Sequence, residues 1–251
     1  MICIEHLHKS FDGRTVLNDI NICFAPGRTS LIIGQSGSGK TVLMKCIVGL
    51  LTPEQGVVSY DGRNLPALNK HERKALRREM GMIFQNAALF DSMTVFENVM
   101  FPLNMFSRDT LRNRMKRALF CLDRVNLLEA KHKYPGEISG GMQKRVAIAR
   151  AITLNPKYLF CDEPNSGLDP RTSLVIDELI HDITLEYGMT TIINTHDMNS
   201  VMGIGDQITY IYQGEKEWEG TKDEVLTSSN ERLNNFIFAS ELLKKVKEIK
   251  P

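Results

Sequence analysis

Between the apolar run Thr29–Ile33 (TSLII) and a helical pattern from Lys40 to Leu50 lies the octapeptide Gly34-Gln35-Ser36-Gly37-Ser38-Gly39-Lys40-Thr41. It fits GxxxxGK[ST], and no other stretch limits the fold as tightly. The pattern works where a buried strand delivers a glycine-rich turn into a helix N-terminus, so it predicts the start of an α/β domain. Glycines let the loop wrap closely, and consecutive backbone N–H groups then point, with the helix N-terminus, at the β- and γ-phosphates of a nucleotide. Lys40 supplies positive charge and the Thr41 hydroxyl reaches Mg²⁺. Chance alone would give such a match in about one chain in a hundred of this length.

A nucleotide that is to be hydrolysed also needs a metal ligand and an activated water. The apolar run Tyr158–Cys161 ends in the carboxylates Asp162 and Glu163. At the tip of such a strand Asp162 can hold Mg²⁺, while Glu163 can orient and deprotonate the attacking water.

Around these two motifs the chain reads as a parallel-sheet core interrupted by helices. MICIEHLHKSF and TVLNDINICF have strand composition with a turn at Asp12-Gly13, and further strands fall at 57–60, 82–84, 158–161, 190–194, 207–212 and 215–219. Helical patterns fall at 71–79, 95–103, 110–122, 140–154 and 171–187, so a helical region is inserted at about 86–153. The mostly apolar stretch GMIFQNAALFDSMTVFENVMFPL, residues 81–103, is too polar to span a bilayer, because Gln85, Asp91 and Glu97 interrupt it. At the other end, ERLNNFIFASELLKKVKEIK sets Leu233, Phe236, Ile237, Leu243 and Val246 near helical spacing. It can pack on its own domain, dock on a partner or lie on a membrane surface.

A chain of 251 residues that is 42% apolar can bury a sizeable core, and its net charge of +1 gives no overall electrostatic footprint for nucleic acid, though a local basic face stays possible. The five cysteines are scattered and mostly flanked by apolar residues, which predicts reduced, buried thiols in a cytosolic protein. The N-terminus lacks the basic and long apolar regions of a signal peptide. His6, His8, His71, His132 and His181 fit no motif.

Between the two phosphate-chemistry motifs stands Ile138-Ser139-Gly140-Gly141-Met142, opening a helix rich in Ala, Ile and Arg. A serine and two glycines at a helix N-terminus make a second phosphate-binding surface. One domain needs one cradle per nucleotide, so a second cradle makes sense where two copies face each other and each completes the other's site. This segment resembles the LSGGQ signature of the ABC ATPases, with Met142 in place of the usual Gln. The resemblance covers about residues 1–227 and implies an α/β fold of P-loop ABC ATPase type: a RecA-like core, an antiparallel β subdomain and an inserted helical subdomain, followed by a C-terminal helical extension at 228–251.

It also implies roles for other positions. Phe11, in place of the more frequent Tyr, stands where the family sets an aromatic ring against adenine, with Val16 following. Gln85 matches the glutamine that senses Mg²⁺ and the attacking water. Asn165-Ser166-Gly167-Leu168-Asp169 resembles the loop that couples opposing sites through Asp169, and His196 resembles the histidine that contacts the γ-phosphate. The implied cofactors are ATP and Mg²⁺. The implied partners are a second copy, head to tail across ATP, and an integral-membrane permease docking near 86–103, with no nucleic acid.

Within the class, ALFDSMTVFENVMFPL and ISGGMQKRVAIARAI look most like the ATPase subunits of Mla and MCE-associated lipid transporters, the MlaF-like branch. That branch implies phospholipid transport, MCE-domain and small regulatory subunits, and a peripheral place on the cytoplasmic face of the inner membrane. An ABC importer of another small solute would share every catalytic residue. A DNA-associated ABC ATPase would carry coiled-coil or zinc-binding insertions, and a P-loop kinase would leave ISGGM, SGLD and His196 unexplained.

Overall fold

The structure, a computed structural model, describes residues 1–238. In chain order its strands and helices begin with β1 (Ile2–Phe11), β2 (Arg14–Phe24), β3 (Arg28–Ile33), α1 (Lys40–Ile47), β4 (Gln55–Tyr60), β5 (Arg63–Asn64), α2 (Lys70–Arg78) and β6 (Met80–Ile83). There follow α3 (Val95–Phe106), α4 (Leu111–Arg124), α5 (Gly140–Ala151), β7 (Tyr158–Asp162), α6 (Pro170–Tyr187) and β8 (Thr190–Asn194). The last are α7 (Met198–Ile204), β9 (Gln207–Tyr212), β10 (Glu215–Gly220), α8 (Lys222–Thr227) and α9 (Glu231–Ile237). The described residues divide into two compact units, one of Met1–Leu68 with residues 192–238, the other of Asn69–Thr191.

In the first unit β2, β1, β4 and β5 form an antiparallel sheet in that order. Asp12 and Gly13, with φ of 48° and 78°, make the tight turn that pairs Phe11 with Arg14. Register irregularities between Ile4 and Ser10 then shift the pairing by one residue, so that Cys3 lies opposite Cys23. Their Cα atoms are 4.1 Å apart and a disulfide joins them, which corrects the expectation of five reduced thiols. Cys46, Cys121 and Cys161 are buried and free, and burial pushes the Cys46 and Cys121 thiols up to about 11.

The same unit holds β9 parallel to β3 and antiparallel to β10. Leu31, Ile32, Ile33, Ile208 and Ile211 are fully buried, as suits parallel strands covered on both faces. α1 buries Leu43, Met44 and Ile47, and the Tyr60 hydroxyl donates to the Ile47 carbonyl at 2.7 Å. α9 buries Leu233 and Ile237 and lays Phe236 against Tyr210, ring centroids 5.3 Å apart. That part of the C-terminal segment packs on its own unit; Leu243 and Val246 lie outside the described residues.

In the second unit β6 and β7 are parallel, pairing Met80 with Tyr158 and Ile83 with Cys161. A Cβ on Gly81 would lie 2.6 Å from the Ala151 carbonyl oxygen, so α5 packs directly on β6. α3 starts from a capping box, Thr94 with Glu97, and runs to Phe106 although the pattern predicts an end at Leu103. Pro102 removes one backbone donor, but the buried stripe Val95, Val99 and Leu103 holds the helix on the core. Among the described residues no helix is long and apolar enough to cross a membrane.

Candidate functional site

In the first unit β3 ends at Ile33, the loop turns through residues 34–39, and α1 begins at Lys40. Gly37 and Gly39 take φ of 81° and 106°, and Gly34 takes 153°. A Cβ on Gly34 would fall 2.3 Å from the Ile211 carbonyl oxygen, and one on Gly39 would fall 2.8 Å from a Leu17 methyl carbon. The wrap therefore requires glycine at both positions. Lys40 is buried, and its ammonium donates to the carbonyls of Gly34 at 2.7 Å and Gln35 at 3.0 Å, closing the loop on itself. Gln35, Ser36 and Gly37 are exposed at the mouth, as is Thr41 in the first turn of α1.

Buried Ser38 Oγ has no hydrogen-bond partner among the described residues and lies close to Gly34, so a polar group at the loop is left unsatisfied. Together with a helix N-terminus and a cation, that set of groups suits a nucleotide's phosphates, and the exposed Thr41 hydroxyl in the first turn of α1 offers an oxygen to a Mg²⁺ ion beside them. Gly214 steadies the loop from the β9–β10 turn: its N–H donates to the Ser38 carbonyl at 3.1 Å and its carbonyl accepts from the Asn18 N–H at 2.8 Å. A Cβ on Gly214 would lie 2.3 Å from the Val16 carbonyl oxygen. In the sequence this glycine only separates the strands expected at 207–212 and 215–219, because its partners Ser38 and Asn18 lie in distant segments.

Phe11, at the end of β1, is exposed, with the Lys9 ammonium 5.0 Å from its ring centre, and Val16 is half-buried on β2. Exposed His196 follows Thr195, whose N–H donates to the Ile32 carbonyl at 3.1 Å and whose hydroxyl accepts from the Asp197 N–H at 3.0 Å. These bonds fix the chain on both sides of the imidazole.

The second unit gathers the other candidates. Asp162 ends β7, and Glu163 follows with φ of 50°, a left-handed conformation that costs a non-glycine residue energy and that surrounding structure must hold in place. The Ser166 N–H donates to the Glu163 carbonyl at 3.1 Å, and Gln85 Nε2 donates to Ser166 Oγ at 3.0 Å, so Gln85 is tied to the loop behind Glu163. Asp169 caps α6, accepting from the Arg171 and Thr172 N–H groups at 3.1 and 3.0 Å and from the Thr172 hydroxyl at 2.5 Å. The Thr172 hydroxyl and backbone bonds hold its carboxyl below the usual carboxylate range.

Ser139 caps α5 by accepting from the Met142 N–H at 3.3 Å, and Ser139 and Gly140 are exposed. A Cβ on Gly141 would fall 2.6 Å from a Thr172 methyl, so the start of α5 lies close against α6. Further along α5, Arg150 donates to the Ala88 carbonyl at 2.7 Å and the Ala87 carbonyl at 2.8 Å, and buried Lys144 donates to the Gln85 carbonyl. Burial pulls the Lys144 ammonium below its ordinary value, opposed by the nearby Cys161 and Glu163. Ala87 and Ala88 have φ of 57° and 48°, so two cations of α5 hold a strained loop next to Gln85. Sequence reasoning missed both; the available signal was two cations on a helix whose residues 146–149 are all apolar. On this unit an open groove of about 320 Å³ is lined by Phe84, Phe90, Phe101 and Phe106 among others.

Comparison with known proteins places these features. The family model described as "ABC transporter" matches residues 17–166. The methionine import ATP-binding protein MetN of Clostridioides difficile is 38% identical over 94% of this chain and 74% of its own length. A dimeric structure of the ATP-binding cassette MJ0796 in a post-hydrolysis state, bound to ADP and Pi, superposes with a TM-score of 0.80 at 33% identity, covering 88% of this chain and 99% of that one. CbiO1 of Clostridium perfringens, part of the ABC transporter complex CbiONQ, superposes with a TM-score of 0.85 at 28% identity, covering 99% and 97%.

Proposed function

The chain belongs to the ABC transporter family of ATP-binding proteins, and from that membership we propose the cargo, partners and residue roles that follow. It has the P-loop ABC ATPase fold, it is an ATPase, and its cofactors are ATP and Mg²⁺. One ABC ATPase domain spans residues 1–227, its helical subdomain lies at about 86–153, and residues 228–251 extend it. The chain is the ATP-hydrolysing subunit of a transporter and works peripherally at the cytoplasmic face of the inner membrane.

The observation that carries the site assignment is the loop closed by Lys40, with glycine obligatory at Gly34 and Gly39. Backbone N–H groups of Gln35, Ser36, Gly37, Ser38 and Gly39, with the Lys40 ammonium, hold the β- and γ-phosphates. Phe11 and Val16 contact adenine. Thr41, Asp162 and Gln85 hold Mg²⁺, which when bound draws negative charge from the phosphate oxygens. Glu163 takes the proton from a water as its oxygen bonds to the γ-phosphorus and the bond to the β-phosphate oxygen breaks, leaving ADP and phosphate. His196 contacts the γ-phosphate, and Gln85 orients the water. Ser139, Gly140 and Gly141 of one copy serve the nucleotide of the other, and Asp169 couples the two sites. The supporting observation for this last pairing is the exposed, uncharged N-terminus of α5.

For partners we assign the groove near 86–103 to a helix of a separate permease, since Phe84 and Phe90 are exposed beside it. The cargo we assign is phospholipid or another lipid, on the strength of the stretches ISGGMQKRVAIARAI and ALFDSMTVFENVMFPL, with MCE-domain and small regulatory subunits in the complex. The likeness to methionine import proteins favours a second reading, a small-solute importer. Purifying the tagged chain with its membrane partners and extracting the bound molecules separates the two. Enriched phospholipid with an MCE-domain protein supports the lipid assignment, and a solute-binding protein with its amino acid overturns it.

A further inference from the structure

The near-neutral chain is electrostatically uneven. Residues 70–78 and 104–117 together hold ten Lys and Arg against only Glu72 and Asp109, within a chain whose net charge is +1. The second unit brings these segments to one place. Arg78 of α2 lies 5.9 Å from the ring centre of Phe106 at the end of α3, and Arg114 of α4 donates to Asn104 Oδ1 at 2.7 Å. Lys74, Arg108, Arg112 and Lys116 are exposed and have no carboxylate partner among the described residues.

Apolar side chains are interleaved with this charge. Met105 and Leu111 are 59% and 58% exposed, and Met115 and Phe106 are 42% and 37% exposed. Leu111 and Met115 are four residues apart on α4, as are Arg112 and Lys116, so a bare apolar ridge runs beside a basic one. Nucleic acid would use the cations and gain little from exposed Leu and Met. An anionic bilayer uses both, phosphates meeting the cations while the apolar tips enter the headgroup and acyl boundary.

We propose that the face formed by the end of α2, the α3–α4 turn and the first turns of α4 is a docking surface for anionic phospholipid membrane. It gives the chain a membrane contact of its own that borders the groove at Phe106 and does not depend on which cargo is moved. Its orientation places the exposed Leu111 and Met115 ridge against lipid, with Arg108, Arg112 and Lys116 at the headgroups.

Sedimentation of the full-length chain with vesicles tests this, using phosphatidylcholine alone and phosphatidylcholine mixed with phosphatidylglycerol. The expected result is binding to the mixed vesicles that weakens as salt rises. Combined Arg108→Glu, Arg112→Glu and Lys116→Glu should lower the partition coefficient by about two orders of magnitude, and the milder pair Arg112→Gln with Lys116→Gln by about one. Leu111→Ser with Met115→Ser should remove the salt-resistant remainder. None of these positions belongs to the hydrolytic set, so unchanged ATP turnover reports an intact fold. Equal binding to neutral vesicles would overturn the proposal, as would wild-type binding by the reversed variants. So would loss of binding only on reversal of Lys244, Lys245 and Lys247, or a preference for duplex DNA that ignores the Leu111 and Met115 change.

Discussion

Two helices of this protein start from serine and glycine, and their starts differ. The loop before α1 is walled in: Gly34, Gly39 and Lys40 are buried, and the lysine is bonded to the loop's own carbonyls. The start of α5 is open: Ser139 and Gly140 are exposed and its first turn carries no charge. The cations of α5 are spent elsewhere, Lys144 on Gln85, Arg145 on Val125 and Arg150 on Ala87 and Ala88. The first start sets a cation beside its N–H groups. The second has only N–H groups and a hydroxyl, so it suits a nucleotide already held by another chain.

The largest expected effect comes from stopping the chemistry without touching either start. Glu163→Gln should lower ATP turnover by about 10²- to 10⁴-fold while ATP affinity is kept. Light scattering of that variant with ATP and Mg²⁺ should then show a dimer that the nucleotide-free chain does not form. Near wild-type turnover would remove Glu163 from the role of base.

The walled start is challenged next. Lys40→Ala removes a charged donor and should weaken ATP binding by about tenfold to a hundredfold, measured on the isolated chain by equilibrium titration. If affinity holds, the α1 loop is not the phosphate receptor and the contrast with α5 collapses.

The open start calls for a change that spares the helix. Gly140→Asp places an anion in the first turn of α5, where the helix dipole tolerates or favours it, so thermal stability should hold. Repulsion of a nucleotide carried by the second copy should nevertheless cut turnover and the ATP-dependent dimer by about tenfold or more, with the affinity of the single chain unchanged. A parallel fall in single-chain affinity would mean that α5 serves the nucleotide of its own chain.

How much of this was legible in the sequence follows the range of the interactions. The strand, loop and helix around Lys40, the carboxylates ending β7 and the cap at Ser139 are each set within about ten residues, and their patterns predict them. Cys3 and Cys23 were not legible as a pair, because the Asp12-Gly13 turn alone sets Cys3 opposite Ile22 and only the irregular register moves it. α7 and α8 are seven and six residues long, too short for a periodicity to show. Gly214 holds the phosphate loop from a hairpin about 175 residues away in sequence, and Lys144 and Arg150 act about 60 residues from their own position.

The smallest effect examines why α5 turns its cations away from its own start. Arg150 makes two bonds with one planar group, to Ala87 and Ala88, and those two alanines hold left-handed backbone that they would not adopt unsupported. Lysine keeps the charge but cannot span both carbonyls, so Arg150→Lys should lower unfolding stability by about 1 kcal/mol. If the loop merely packs, turnover should follow stability and be normal at temperatures where the variant is folded. If the loop sets the position of Gln85, turnover should fall by about twofold to fivefold in the fully folded variant while the KM for ATP is unchanged, since only an interaction with the attacking water is disturbed. A rise in KM alone would instead tie Arg150 to nucleotide binding, and the two helix starts would then differ less than their geometry implies.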